Sequence, residues 1–198
     1  MKAEKTAIMI TFIVFSILSA LPAGADLYTL DPAHTTVGFA VKHMVIAKVR
    51  GTFDQYTGEF TLDDDSRLVG ATAEISVESV NTRIEKRDAH LRSEDFFFAE
   101  KYPTMTFRLL SAEKGPDNRY TVTGDLTMRG VTRKVTLEGE ILGPIQDPSG
   151  NRRAGFNASG MINRKEFGLM WNKVLETGGL VVGNEVELIL EGEGILKK

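Results

Sequence analysis

From Thr35 almost to its end, the chain alternates apolar and polar residues with a period of two. A strand turns successive side chains to opposite faces, so this pattern favours half-buried β-strands over helices. In "TTVGFAVKH", Val37, Phe39, Val41 and His43 share one face, and Thr36, Gly38, Ala40 and Lys42 share the other. The same rule groups Gly51 with Phe53, Phe60 with Leu62, and Ala71 and Ala73 with Ile75. Further on it groups Met105 with Phe107, Gly124 with Leu126, Val135 with Leu137, Phe156 with Ala158, and Val186 with Leu188. Polar turns separate the runs: "DDDS" at 63–66, "KGPDN" at 114–118, "MRG" at 128–130 and "DPSGN" at 147–151. Each supplies Gly, Asp or Asn where a backbone visits positive φ or bonds to its own side chain. Strands at this spacing predict an antiparallel barrel or sandwich. No linker divides them, so one domain is expected.

Residues 81–100 break the alternation. Thr82 and Glu85 match a T-x-x-E capping box, which predicts a short helix through "RIEKRDAHLR". Ser93 is then placed to cap a second turn, "EDFFFAE". Asp88, His90 and Ser93 suggest a catalytic triad only superficially. Residues two apart on a helix do not face one another, so Asp88 cannot orient His90. The better expectation is a latch: Arg87, Asp88 and His90 hold a helical lid to strand ends, and at least two of Phe96, Phe97 and Phe98 turn inward.

The inward faces repeatedly set small residues beside aromatic ones. Eight strands enclose an interior wide enough to be filled or to hold one small ligand. The small residues therefore either leave room for a ligand or allow close packing at bends. Sequence alone leaves both open.

The first residues follow a different rule. "MKAEKT" is basic, fifteen uncharged residues follow from Ala7 to Leu21, and Ala23 and Ala25 form an A-x-A site. This predicts a signal peptide over 1–25, cleaved after Ala25, and a single mature domain over 26–198 in the periplasm or outside the cell. The apolar run is too short for a spanning helix, which needs about 20 residues, so no stable membrane insertion is expected after cleavage. Without Lys2, Lys5 and Glu4 the chain carries 22 basic and 26 acidic residues, a net charge of −4 that argues against nucleic acid as a partner. There is no cysteine, which excludes thiol catalysis, disulfides and cysteine-held zinc. The three histidines, His34, His43 and His90, form no metal-binding spacing. No metal and no cofactor are expected.

Seven blocks now become recognisable in order: "DPAHTTVGFAVKH", "GTFDQYTGEF", "NTRIEKRDAHL", "FFFAEKYPTMTF", "GDLTMRGVTRKVTL", "GFNASGMINRKEFG" and "VGNEVELILEGE". Over Leu27 to Gly194 the chain resembles the YceI-like proteins. Thr35 stands where serine is usual, and Phe98 where a polar residue is common. The resemblance implies a lipocalin-like antiparallel β-barrel of about eight strands, periplasmic, with an elongated cavity for a polyisoprenoid or other amphiphilic, fatty ligand. Combined with the alternation, it implies a cavity lined by Val37, Phe39, Val41, Phe53, Ile75, Phe96, Phe97, Met105, Phe107 and Phe156. A charged head group would sit at the mouth near Arg87 or Arg164, either of which could instead pair with a protein carboxylate. Asp88 and His90 would be structural, with no catalytic residue. Two alternatives stay open: an enzyme acting on a lipid or small redox molecule, and a solid-core envelope interaction protein. Pairing of two chains into a homodimer through a sheet edge also stays open.

Overall fold

The computed structural model describes residues 24–44, 46–176 and 178–197. The signal-peptide expectation rests on 1–25 and falls almost wholly outside them. Among the described residues no helix is long and apolar enough to cross a membrane.

Eleven strands follow in chain order: β1 (Asp26–Leu30), β2 (Thr36–His43), β3 (Ala47–Phe53), β4 (Tyr56–Leu62), β5 (Leu68–Ser76), β6 (Val80–Asn81), β7 (Thr104–Lys114), β8 (Arg119–Met128), β9 (Val131–Gln146), β10 (Arg152–Asn163) and β11 (Val182–Leu196). All pair antiparallel, and six of them act as three bent strands. One edge of β11 pairs with β2 along Val182–Glu191 and with β1 along Gly194–Leu196, so β1 and β2 are one strand broken at 31–35. β4 pairs with β1 and β3 with β2, so a second strand bends at Asp54–Gln55. β6 continues β5 along the β3 edge. The result is a closed, eight-stranded, up-and-down barrel, in which every strand pairs with a neighbour on each side over part of its length.

Each predicted turn lies between two strands, and the inward faces are those given by alternation. In β8, Tyr120, Val122, Gly124, Leu126 and Met128 are buried while their neighbours are not. A register error of one residue would have reversed every face.

The helical excursion forms α1 (Glu85–Arg92) and then a series of turns, and two details differ from expectation. Thr82 does not cap the helix: Ile84 is the N-cap, and Arg83 between them has φ 66, which swings Thr82 off the helix end. Ser93 closes α1 instead of opening a second helix, its Oγ donating to the His90 carbonyl at 2.8 Å.

The opposite end is held by ions. Arg153 on β10 donates to Asp31 Oδ2 at 2.7 Å, Asp147 Oδ2 at 2.7 Å and Glu193 Oε1 at 2.6 Å. One side chain thus ties the β1–β2 corner, the β9–β10 turn and β11. The bond from Arg153, followed by that from His34, holds the Asp31 carboxyl down at about 2. Asp147 also lies below the usual carboxylate range, through Arg153 and then the Asn151 backbone N–H. Unfolded aspartates titrate near 3.9, so this stabilisation is complete above about pH 4 and is lost as pH falls towards 2. Thermal melts between pH 5 and 2 are therefore expected to show a steep fall below pH 4 that Arg153→Met flattens.

Candidate functional site

Two apolar clusters occupy the barrel. The one beneath α1 contains Phe39, Phe53, Ile75, Phe96, Phe97 and Met105, and the one at the Arg153 end contains Tyr28, Phe60, Leu68, Tyr120 and Ile141. The space between them is not filled. A cavity of about 260 Å³ extends along the barrel, with walls drawn from both clusters. Val37, Phe39, Val41, Phe53, Ile75, Phe96, Phe97, Met105, Phe107 and Phe156 all line it. Leu91, Leu126, Val186 and Leu188 line it too. The last three lie on strands whose alternation already turned them inward. Phe98 points elsewhere, with its ring edge-on to Tyr102 at 6.0 Å.

The small inward residues divide between the two explanations. A Cβ on Gly51 would lie 2.5 Å from the Phe39 ring, and one on Gly124 would lie 2.3 Å from the Phe107 ring. These glycines hold no space open; they let aromatic rings lie directly on the backbone. Ala71, Ala73 and Ala158, by contrast, face the cavity itself.

α1 covers the end of the barrel through a buried network centred on Thr82. Asp88 Oδ1 accepts from the Thr82 backbone N–H at 2.9 Å and from the Thr82 hydroxyl. Arg87 Nε donates to Thr82 Oγ1 at 2.7 Å, and its Nη2 donates to the Thr82 carbonyl at 2.8 Å. Arg87 is thereby held against the lid and does not line the cavity, which corrects its expected place at a head group. His90 packs edge-on against Phe96 at 5.0 Å and Trp171 at 4.9 Å, with its Nε2 2.9 Å from Asp95 Oδ2. Two further ties were not anticipated. Arg92 Nε donates to the Glu78 carbonyl at 3.0 Å, and Arg129, in the β8–β9 turn, donates to the carbonyls of Glu94 and Phe96.

Arg164 behaves differently from Arg87. It follows β10, is 3 % exposed and lines the cavity at the α1 end. Its Nε donates to the Gly183 carbonyl at 2.8 Å and its Nη1 to the Leu169 carbonyl at 2.5 Å. Burial alone pushes its pKa down from the ordinary arginine value. The cavity-lining residues include no His, Ser or Cys. At the far end, ligand atoms of Asp31, His34 and Glu193 gather within 4.8 Å of one another, a grouping no sequence spacing revealed. The Arg153 guanidinium already bonds to both of those carboxylates.

A family model described as "YceI-like domain" matches residues 28–193. A UPF0312 protein of Staphylococcus aureus strain USA300 is 36 % identical over 168 residues, covering 84 % of this chain and 95 % of that protein. The crystal structure of a Campylobacter jejuni YCEI protein superposes with a TM-score of 0.69 at 35 % identity, covering 86 % of this chain and 98 % of that one. A polyisoprenoid-binding domain from Saccharophagus degradans, described as implicated in plant cell wall breakdown, gives a TM-score of 0.63 at 18 % identity, with coverage of 86 % and 98 %. That last likeness is one of fold.

Proposed function

The chain belongs to the YceI-like family, and from that membership we propose that it is a periplasmic or secreted binding protein that sequesters or carries an isoprenoid or other amphiphilic lipid. The observation that carries this reading is the apolar cavity, which a solid-core interaction protein would not retain. Binding in place of catalysis is supported by a wall without serine, thiol or imidazole. The neighbouring domain described as polyisoprenoid-binding supports the ligand class.

Size sets the energetics. At about 30 Å³ for a water-sized group, the cavity of about 260 Å³, counted as room for the centres of such groups, takes a chain of at least roughly nine carbons, two isoprene units or more. At about 0.8 kcal/mol per buried methylene, the tail contributes on the order of 7 kcal/mol before ordering costs. For that shortest tail this corresponds to a Kd on the order of 10 μM before those costs.

Native mass spectrometry of the mature protein tests the proposal. The expected result is a co-purifying lipid mass, or a one-to-one adduct on adding geraniol. The chain's single tryptophan, Trp171, provides a second readout. It packs on Phe96, a wall residue, at 5.2 Å, so its emission is expected to shift when the cavity fills. Protein that stays ligand-free and optically unchanged with added prenyl lipids would overturn the proposal.

A further inference from the structure

Among the described residues, two buried side-chain polar atoms have no hydrogen-bond partner: Arg164 Nη2 and Asn184 Oδ1. They lie at the same end of the barrel, since Asn184 follows Gly183, whose carbonyl holds Arg164 Nε. A guanidinium cannot shed its charge in a protein, and an isolated buried charge is costly unless an opposite charge meets it. The other buried charged residue, Asp88, has its acceptor oxygen fully used by Thr82. For Arg164, no described Asp or Glu carboxylate comes within 4.0 Å. Its two bonds go to backbone carbonyls, which supply dipoles and leave the net charge in place. Neither N–H of Nη2 is used, and the side chain that carries them forms part of the wall of an apolar cavity.

We infer that the ligand carries an anionic oxygen group, a carboxylate or a phosphate monoester, seated on Arg164 Nη2 with its chain running down the barrel towards Tyr120 and Leu68. This rests on the proposed lipid-binding function and narrows its substrate class from amphiphiles in general to acidic ones. A hydrogen bond to a charged group is worth about 1.5–3 kcal/mol, or roughly ten- to a hundredfold in Kd.

Isothermal titration calorimetry at pH 7 with matched pairs tests the inference: geranyl phosphate against geraniol, and decanoate against decan-1-ol. The expected result is that at least one anion binds tenfold or more tighter than its alcohol. Which pair shows the preference separates phosphate from carboxylate. Arg164→Met is expected to abolish the preference while keeping alcohol binding, and Arg164→Lys to keep part of it. The wild-type comparison stands even if a variant fails to fold. Alcohols and anions binding within about threefold in both pairs would overturn the anionic head group and leave lipid binding intact. Failure of all four compounds to bind would overturn the lipid-binding reading itself.

Discussion

Asp88→Ala is expected to lower the unfolding free energy by about 2–4 kcal/mol, as large an effect as any single exchange in the lid should produce. The carboxylate serves two buried donors at once, the Thr82 backbone N–H and the Thr82 hydroxyl, and Thr82 is 4 % exposed. Removing it strands both donors where water does not reach. Each stranded buried group costs about 1–3 kcal/mol, and coupling between neighbours keeps the sum below simple addition. Asp88→Asn retains an acceptor oxygen and is expected to cost less than half as much. Urea unfolding with an unchanged m-value separates a stability loss from a change in compactness. A midpoint for Asp88→Ala within experimental error of wild type would show that α1 is held by its apolar contacts alone. In the native state the same variant should shift Trp171 emission to the red, because His90 and Phe96 hold that indole from the same lid.

Period-two alternation made the barrel legible because burial of one face is imposed on every strand at once. Together with the family resemblance it pointed to the eight strand residues of the expected lining without any knowledge of strand pairing, whereas Phe96 and Phe97 came from the lid that interrupts it. What the sequence concealed depends on contacts between distant segments. Phe39 and Gly51 are both plain in the sequence, but only the β2–β3 register sets them opposite one another, so the ring occupies what looked like spare room. The T-x-x-E at Thr82 is a local motif overruled by a tertiary one. The positive φ at Arg83 takes Thr82 away from the helix end, and Asp88 meets it from the inner face of α1. Arg129 reads as a turn residue in "MRG", and nothing nearby announces its bonds to carbonyls 33 and 35 residues earlier. Arg164 is intermediate. Carrying the β10 alternation two residues beyond Ile162 turns it inward, against the usual rule that arginine faces water. The resemblance already pointed to Arg164 as a head-group candidate, and a charged residue that keeps the apolar period is the signal in the residues themselves.

Filling the cavity while leaving its wall polarity unchanged should separate binding from folding. Ala73 faces the upper part of the cavity opposite Phe107, and Ala158 faces the lower part opposite Leu190 and Gly139. Ala73→Phe combined with Ala158→Leu adds about nine carbon atoms, against a void that holds at least roughly nine water-sized groups. The double variant is expected to lose lipid affinity by about a hundredfold or more. The ligand's tail is then shut out of space that the wild-type side chains leave empty, which forfeits most of the methylene transfer energy. Stability should move the other way or stay level, since cavity-filling exchanges commonly add about 0.5–2 kcal/mol, against about 1–3 kcal/mol for overpacking if the new side chains cannot find rotamers. Ala158→Leu alone, adding three carbons, should give an intermediate loss and guards against a double variant that does not fold. The decisive comparison is Kd for geranyl phosphate beside Tm. Weak binding with an unchanged or raised Tm places the chain inside the barrel, whereas wild-type affinity in the filled barrel would place the ligand on another surface and leave the buried charge of Arg164 unexplained.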